Sequence, residues 1–121
     1  MNNLALIVED EVALRVIYET VLSGLGFEVI QAADGEEAIS ILSHTDPSIV
    51  FLDILLPKVD GRQVLEYIQS TPHLRNTVTV VVTAHSRFQQ AIALTTNDLF
   101  LLKPVRPHDI QMAVEQALAP S

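Results

Sequence analysis

No cysteine occurs among the 121 residues, so a disulfide framework, a zinc–thiolate site and a thiol nucleophile are excluded. Positive charge is scarce: 7 Lys and Arg stand against 15 Asp and Glu, a formal net charge of −8. That balance disfavours sequence-independent attraction to nucleic acid or to an anionic membrane. There is no long apolar run. The longest, residues 49–57, is interrupted by Asp53 and is far too short to span a bilayer. Met1-Asn2-Asn3 leads straight into a strand-like run without the basic start of a cleavable signal. His44, His73, His85 and His108 are scattered and suggest no metal site. No internal repeat or low-complexity tract is visible. The expectation is one soluble, cytoplasmic domain over residues 1–121, with no direct nucleic-acid or membrane contact.

What the chain does carry is four hydrophobic runs, each ending in a polar motif. Leu4–Val8 ends at Glu9-Asp10-Glu11, and residues 49–52 end at Asp53, with Pro57 and Asp60-Gly61 beyond. Residues 78–82 end at Thr83-Ala84, and residues 99–102 at Lys103-Pro104. Between the runs lie helical patterns. Leu14, Ile17, Tyr18, Val21, Leu22 and Leu25 share one helical face, closed by Gly26. Glu28–Ala32 alternates as an edge strand would. Asp34 with Glu37, and Asp60 with Gln63, are capping-box spacings for a second helix through Ser43 and a third carrying Val64, Leu65 and Ile68. A fourth helix is expected over about residues 87–95, with Phe88, Ala91 and Ile92 inward and Asn97 at its left-handed end. Pro107 opens a last helix whose face is Ile110, Val114, Ala117 and Leu118.

Regular alternation of strand and helix predicts an α/β fold: a doubly wound, five-stranded parallel sheet with helices on both faces. The flavodoxin-like order 2-1-3-4-5 explains why the polar motifs follow runs one, three, four and five. Run two sits at the edge and contributes nothing to the crevice where the carboxyl ends of the other strands meet.

These motifs, Val8-Glu9-Asp10-Glu11, Leu52-Asp53-Ile54-Leu55-Leu56-Pro57 with Asp60-Gly61, Thr83-Ala84 and Lys103-Pro104, resemble over nearly the whole chain the receiver domain of bacterial two-component response regulators. The resemblance implies that Asp53 accepts a phosphoryl group from a phosphohistidine on a sensor histidine kinase or phosphotransfer protein. It implies that Glu9 and Asp10 are the acidic metal-binding pair, and that Thr83 and Lys103 contact the phosphate. Phe100, a core residue three before Lys103, stands where receivers carry an aromatic switch. The domain would then be a signalling element that catalyses only its own phosphorylation and dephosphorylation. It would act on a downstream protein or on an output domain outside this sequence, with a homodimer left open.

The residue chemistry suits that role. A carboxylate attacks a dianionic phosphoryl donor poorly unless charge is screened, and Mg2+ prefers a few carboxylates plus phosphate oxygens and water. Glu9, Asp10 and Asp53 can supply such a site, with a backbone carbonyl near Leu55. Lys103 adds a compact positive charge and Thr83 a hydroxyl, while Ala84 leaves room for the group. Leu55 and His85, each two positions past a site residue, flank the crevice. Two departures from the family pattern stand out. Glu9 occupies a place usually held by Asp, and its extra methylene points to metal contact through water. The stretch from Thr83 to Lys103 is slightly short and lacks glycine over residues 86–98, which bears on the length and docking of the fourth helix.

Competing classes fit less well. A flavin binder of this fold needs a Ser/Thr/Gly-rich phosphate loop after the first strand, and here that loop is acidic. A haloacid-dehalogenase-type phosphatase carries a second Asp two residues after its nucleophile, where this chain has Leu55. A receiver reduced to a phosphorylation-independent scaffold is the alternative, favoured by the short Thr83–Lys103 stretch. Glu11 is read as the acid that merely caps the first helix, pairing with Arg15 one turn on.

Overall fold

Val, Ile and Leu dominate four of the five runs, and in strands these residues present apolar side chains to both faces of a sheet. The computed structural model describes residues 2–55, 59–84 and 97–119. Its strands are β1 (Leu4–Val8), β2 (Glu28–Ala32), β3 (Ile49–Asp53), β4 (Val78–Thr83) and β5 (Asp98–Leu102). They pair in parallel in the order β2-β1-β3-β4-β5. The described helices are α1 (Val12–Gly24), α2 (Gly35–Leu42), α3 (Gly61–Ser70) and α4 (Pro107–Ala117), with a 3-10 turn at Pro72–Leu74. The expected helix over about 87–95, with Phe88, Ala91, Ile92 and neighbouring His85, lies outside the described residues.

Alternate strand residues feed two cores. Leu6, Val8, Val50, Leu52 and Val81 pack with Ala38 and Leu42 of α2 and Val64, Leu65 and Ile68 of α3. Ala5, Ile7, Ile49, Phe51, Val80 and Val82 pack with Tyr18 and Leu22 of α1 and Ile110, Ala113 and Val114 of α4. Each buried Val, Leu, Ile or Phe among them contributes about 1.5–3 kcal/mol by leaving water. Burial first, then the charges of Glu9 and Asp53, raise the Tyr18 phenol well above its ordinary range. It therefore stays neutral and packs as an aromatic, 5.1 Å from the Phe51 ring.

Several boundaries and faces differ from expectation. Ile17 and Leu25 were expected inward but are 37% and 42% exposed; the stripe of α1 that meets the sheet is only wide enough for Tyr18 and Leu22, with Leu14 and Val21 at its margins. In α4, Ala113 takes the buried place, and Leu118 is 40% exposed because the helix ends at Ala117 and Leu118 is its cap. Gly26 follows α1 at φ 94°. Helix α2 stops at Leu42, with Ser43 as its cap. The Asp34 side chain accepts the Glu37 N–H at 2.8 Å, but the Glu37 carboxylate accepts from Ala33, one residue earlier than a regular box. At α3 the box is complete: Asp60 N–H donates to Gln63 Oε1 at 3.0 Å and the Asp60 carboxylate accepts the Gln63 N–H, with the Arg62 N–H donating to the same carboxylate. Asn97 accepts from Thr79 N–H through its carbonyl and donates its side-chain amide to the Arg75 carbonyl.

Candidate functional site

The sheet holds the site backbone beyond the strands themselves. Glu9 N–H donates to the Ala32 carbonyl at 3.0 Å, Ile54 N–H to Val82 at 3.0 Å, and Lys103 N–H to Thr83 at 2.8 Å. Glu9 follows β1, Asp53 closes β3, Thr83 closes β4 and Lys103 follows β5, so all four reach the same end of the sheet.

Asp53 is buried, with one carboxylate oxygen accepting Leu55 N–H at 3.1 Å and the other 3.0 Å from Lys103 Nζ. Lys103 Nζ also lies 3.4 Å from Glu9 Oε1. Burial pulls the Lys103 ammonium down. The hydrogen bond to Asp53, with the charges of Asp53 and Glu9, outweighs that and holds it above its ordinary value. Glu9, 1% exposed, spends its second oxygen on the Glu11 N–H at 3.1 Å. Glu9 is thus the acid that bonds the start of α1. The expected pairing of Glu11 with Arg15 is replaced: Glu11 makes no side-chain cap bond, and Arg15 donates to the Glu9 carbonyl at 2.8 Å.

Burial pushes the Glu9 carboxyl up to about 7, with Asp53 and Asp10 acting in the same direction against the Glu11 N–H and the Lys103 ammonium. Below about pH 4.5 both folded and unfolded chains keep this proton, and above about 7 both have lost it. Between those limits only the folded protein holds it, so Glu9 makes the fold progressively less stable as pH rises. Glu9→Gln, which cannot titrate, should gain roughly 1–3 kcal/mol on the wild type across that window. Urea midpoints in a chelator check this, and parallel midpoints for the two proteins would refute it.

Glu9, Asp10 and Asp53 each bring a carboxylate oxygen within 4.8 Å of the others. Asp10 is exposed, and Glu9 Oε1 is buried, facing the Lys103 ammonium at 3.4 Å. An all-oxygen set of three acids around one ammonium, with negative charge in excess, fits a hard divalent cation. Thr83 has no exposed surface, whereas Ala84 and Leu55 are exposed at the rim. Phe100 is half-buried against the α2–α3 core, paired in register with Val81.

A family model for the response regulator receiver domain matches residues 5–115. The chain belongs to that family. The probable transcriptional regulator ycf27 of Porphyridium aerugineum is 33% identical over 113 residues, covering 93% of this chain and 47% of the relative. This receiver thus spans about half the length of the ycf27 relatives it matches. Among solved structures, a putative response regulator from Chloroflexus aurantiacus J-10-fl is 29% identical, with a TM-score of 0.82 over 99% of this chain and 100% of that one. The receiver domain of sensor histidine kinase PA1611 from Pseudomonas aeruginosa PAO1, solved with a magnesium ion in its active-site cleft, is 24% identical, with a TM-score of 0.86 over 99% and 100%.

Placed on this receiver, sequence reasoning missed one feature. Ala13, Leu14 and Ile17 of α1 line a mainly apolar cavity of about 480 Å3 with Ala84, Lys103, Pro104 and Val105. Exposed Val12 and Val16 lie one turn apart on the same helix. The signal was present: both valines fall outside the expected core face and cannot be accounted for by sheet packing.

Proposed function

We propose that this receiver takes a phosphoryl group onto Asp53 from a phosphohistidine of a sensor kinase or phosphotransfer protein, with Mg2+ as the cation. The observation that carries the reading is one buried carboxylate, Asp53, held 3.0 Å from Lys103 Nζ within reach of the Glu9 and Asp10 oxygens. An Asp53 oxygen attacks phosphorus, the donor's N–P bond breaks, and the imidazole leaves, giving an aspartyl phosphate that water later hydrolyses. When bound, the cation screens charge and draws phosphoryl oxygens toward the acids. Glu9, Asp10, Asp53 and the Leu55 carbonyl would hold it, directly or through water. Lys103 steadies the phosphoryl oxygens and the Asp53 carboxylate. The apolar rim of α1 beside Lys103 suits a donor protein that must bring its histidine to Asp53. Among the described residues no helix is long and apolar enough to cross a membrane, and the proposal places the domain in the cytoplasm. No required side chain is lacking, which favours the phosphoacceptor over the scaffold reading. Wild type incubated with Mg2+ and acetyl phosphate should gain one phosphoryl mass; a protein that stays unlabelled overturns the proposal.

Three acids facing one lysine leave excess negative charge, so magnesium should stabilise the fold by linkage. At a free concentration tenfold above its Kd the melting temperature should rise by about 5 °C. In Asp10→Asn the rise should fall by more than half, while the metal-free protein melts higher than wild type. A wild type indifferent to the ion would count against the metal assignment.

Thr83 and Phe100 are proposed to pass the signal on. A modification shifts a two-state equilibrium only through contacts that differ between states, and the Thr83 hydroxyl, buried at the end of β4 beside the strand end that carries Asp53, is placed to make such a contact. Thr83→Ala should keep Asp53 labelling yet lose most of the amide shift that beryllofluoride produces at Phe100. Equal responses in the two proteins would remove Thr83 from the coupling. Output then passes to a downstream protein or an attached domain.

A further inference from the structure

Two glycines meet the backbone of the β3–α3 connection with no room for a side chain. A Cβ on Gly35, the first residue of α2, would stand 2.1 Å from the Val59 carbonyl oxygen and 2.9 Å from its carbon. A Cβ on Gly61, the first residue of α3, would stand 2.5 Å from both the Asp53 carbonyl oxygen and Ile54 Cα. Apart from the Val59 Cβ, also 2.9 Å from the Gly35 position, the obstacles are main-chain atoms, which cannot swing aside as a side-chain tip can. Gly61 belongs to the connection itself. Gly35 arrives from the β2–α2 unit, which supplies no side chain to the site.

The turn that carries Gly35 is stiff. Asp34 caps the Glu37 N–H, the Glu37 carboxylate accepts the Ala33 N–H, and Ala38 N–H bonds the Asp34 carbonyl. One residue upstream, the Ala32 carbonyl accepts Glu9 N–H. A backbone brace therefore runs from Glu9 through Ala32 and the first turn of α2 to Val59. It continues through the Asp60 cap and Gly61, whose N–H donates to the Ile54 carbonyl at 3.2 Å.

We propose that Gly35 is a positioning residue: its missing Cβ lets the start of α2 seat the Val59 carbonyl and so hold the far end of the loop that leaves Asp53 at Ile54 and Leu55. This rests on the reading of Asp53 and the Leu55 carbonyl given under Proposed function. Outer partners that orient metal-binding groups typically carry 10–100-fold in affinity, and a clash at this point displaces such a partner.

The test uses the full chain, magnesium titrated calorimetrically, and the initial rate of labelling by acetyl phosphate. Gly35→Ala should bind Mg2+ about tenfold more weakly and label correspondingly more slowly. Ala38→Gly, in the same helix but on its core face, should lose stability by a helix-propensity and packing effect yet bind Mg2+ as wild type does. Val59→Gly keeps the carbonyl that faces Gly35 but gives its backbone more freedom, and should cause a smaller loss of affinity. Wild-type affinity and rate in a folded Gly35→Ala overturn the proposal. If Gly35→Ala does not fold, Val59→Gly decides: unchanged affinity overturns the proposal, and weaker binding by a folded protein supports it. A wild type that neither binds Mg2+ nor becomes labelled defeats the underlying reading instead.

Discussion

Asp53→Asn should remain unlabelled under conditions in which the wild type gains one phosphoryl mass that base removes. An amide oxygen lacks the charge to attack phosphorus and cannot form the acyl phosphate. The fold should tolerate the change, because asparagine can still accept the Leu55 N–H that Asp53 accepts at 3.1 Å. It also removes one of the like charges that raise the Glu9 carboxyl, so the metal-free variant should melt at or above the wild-type temperature. Loss of labelling together with retained melting separates a missing nucleophile from a damaged protein. Intact-mass measurement checks the first and calorimetry the second. Labelling of the variant at the wild-type level would move the acceptor away from Asp53.

Lys103→Ala should be the most destabilising change in the site. Its ammonium stands 3.0 Å from Asp53 and 3.4 Å from Glu9, and breaking a buried ion pair costs about 3–5 kcal/mol when the stranded charge has no escape. Here there is one: Glu9, already pushed up to about 7, can take a proton. The loss is therefore expected nearer 2 kcal/mol at neutral pH. It should be larger at pH 8, where holding that proton costs more, and smaller at pH 6, where Glu9 keeps it in the wild type as well. Labelling by acetyl phosphate should slow, because the phosphoryl oxygens lose their fixed cation. Denaturation midpoints across that pH range, with and without Mg2+, measure the first effect. A Lys103→Ala protein as stable as wild type at pH 8 would show that the ammonium does not neutralise the pair.

These outcomes depend on residues whose grouping is legible in the sequence. Glu9, Asp53, Thr83 and Lys103 end apolar runs, and in a parallel sheet of order 2-1-3-4-5 the ends of β1, β3, β4 and β5 are neighbours by topology alone. Strand and helix identity followed from periodicity for the same reason: a strand buried on both faces must be apolar throughout, and a helix on a sheet needs one apolar stripe. Caps at Asp34 and Asp60 were readable because they are local, made within three residues.

Other properties were set by distance and solvent, which a linear pattern does not encode. Asp53 and Asp10 are both acids in polar motifs, yet one is buried against Lys103 and the other faces water. Glu9, not Glu11, bonds the start of α1, because only the turn after β1 decides which carboxylate folds back over the Glu11 N–H. Ile17 belonged by spacing to the core face of α1, but it falls outside the narrow stripe that meets the sheet and lines the crevice beside Lys103. The contact between Gly35 and Val59 joins residues 24 positions apart with no shared motif. The sequence by itself determined the fold, the strand order and which functional groups meet. The tertiary structure alone decided how deeply each is buried, which acid pairs with the lysine, and how the edge unit braces the loop, because burial and close approach depend on packing between elements rather than on the pattern within one.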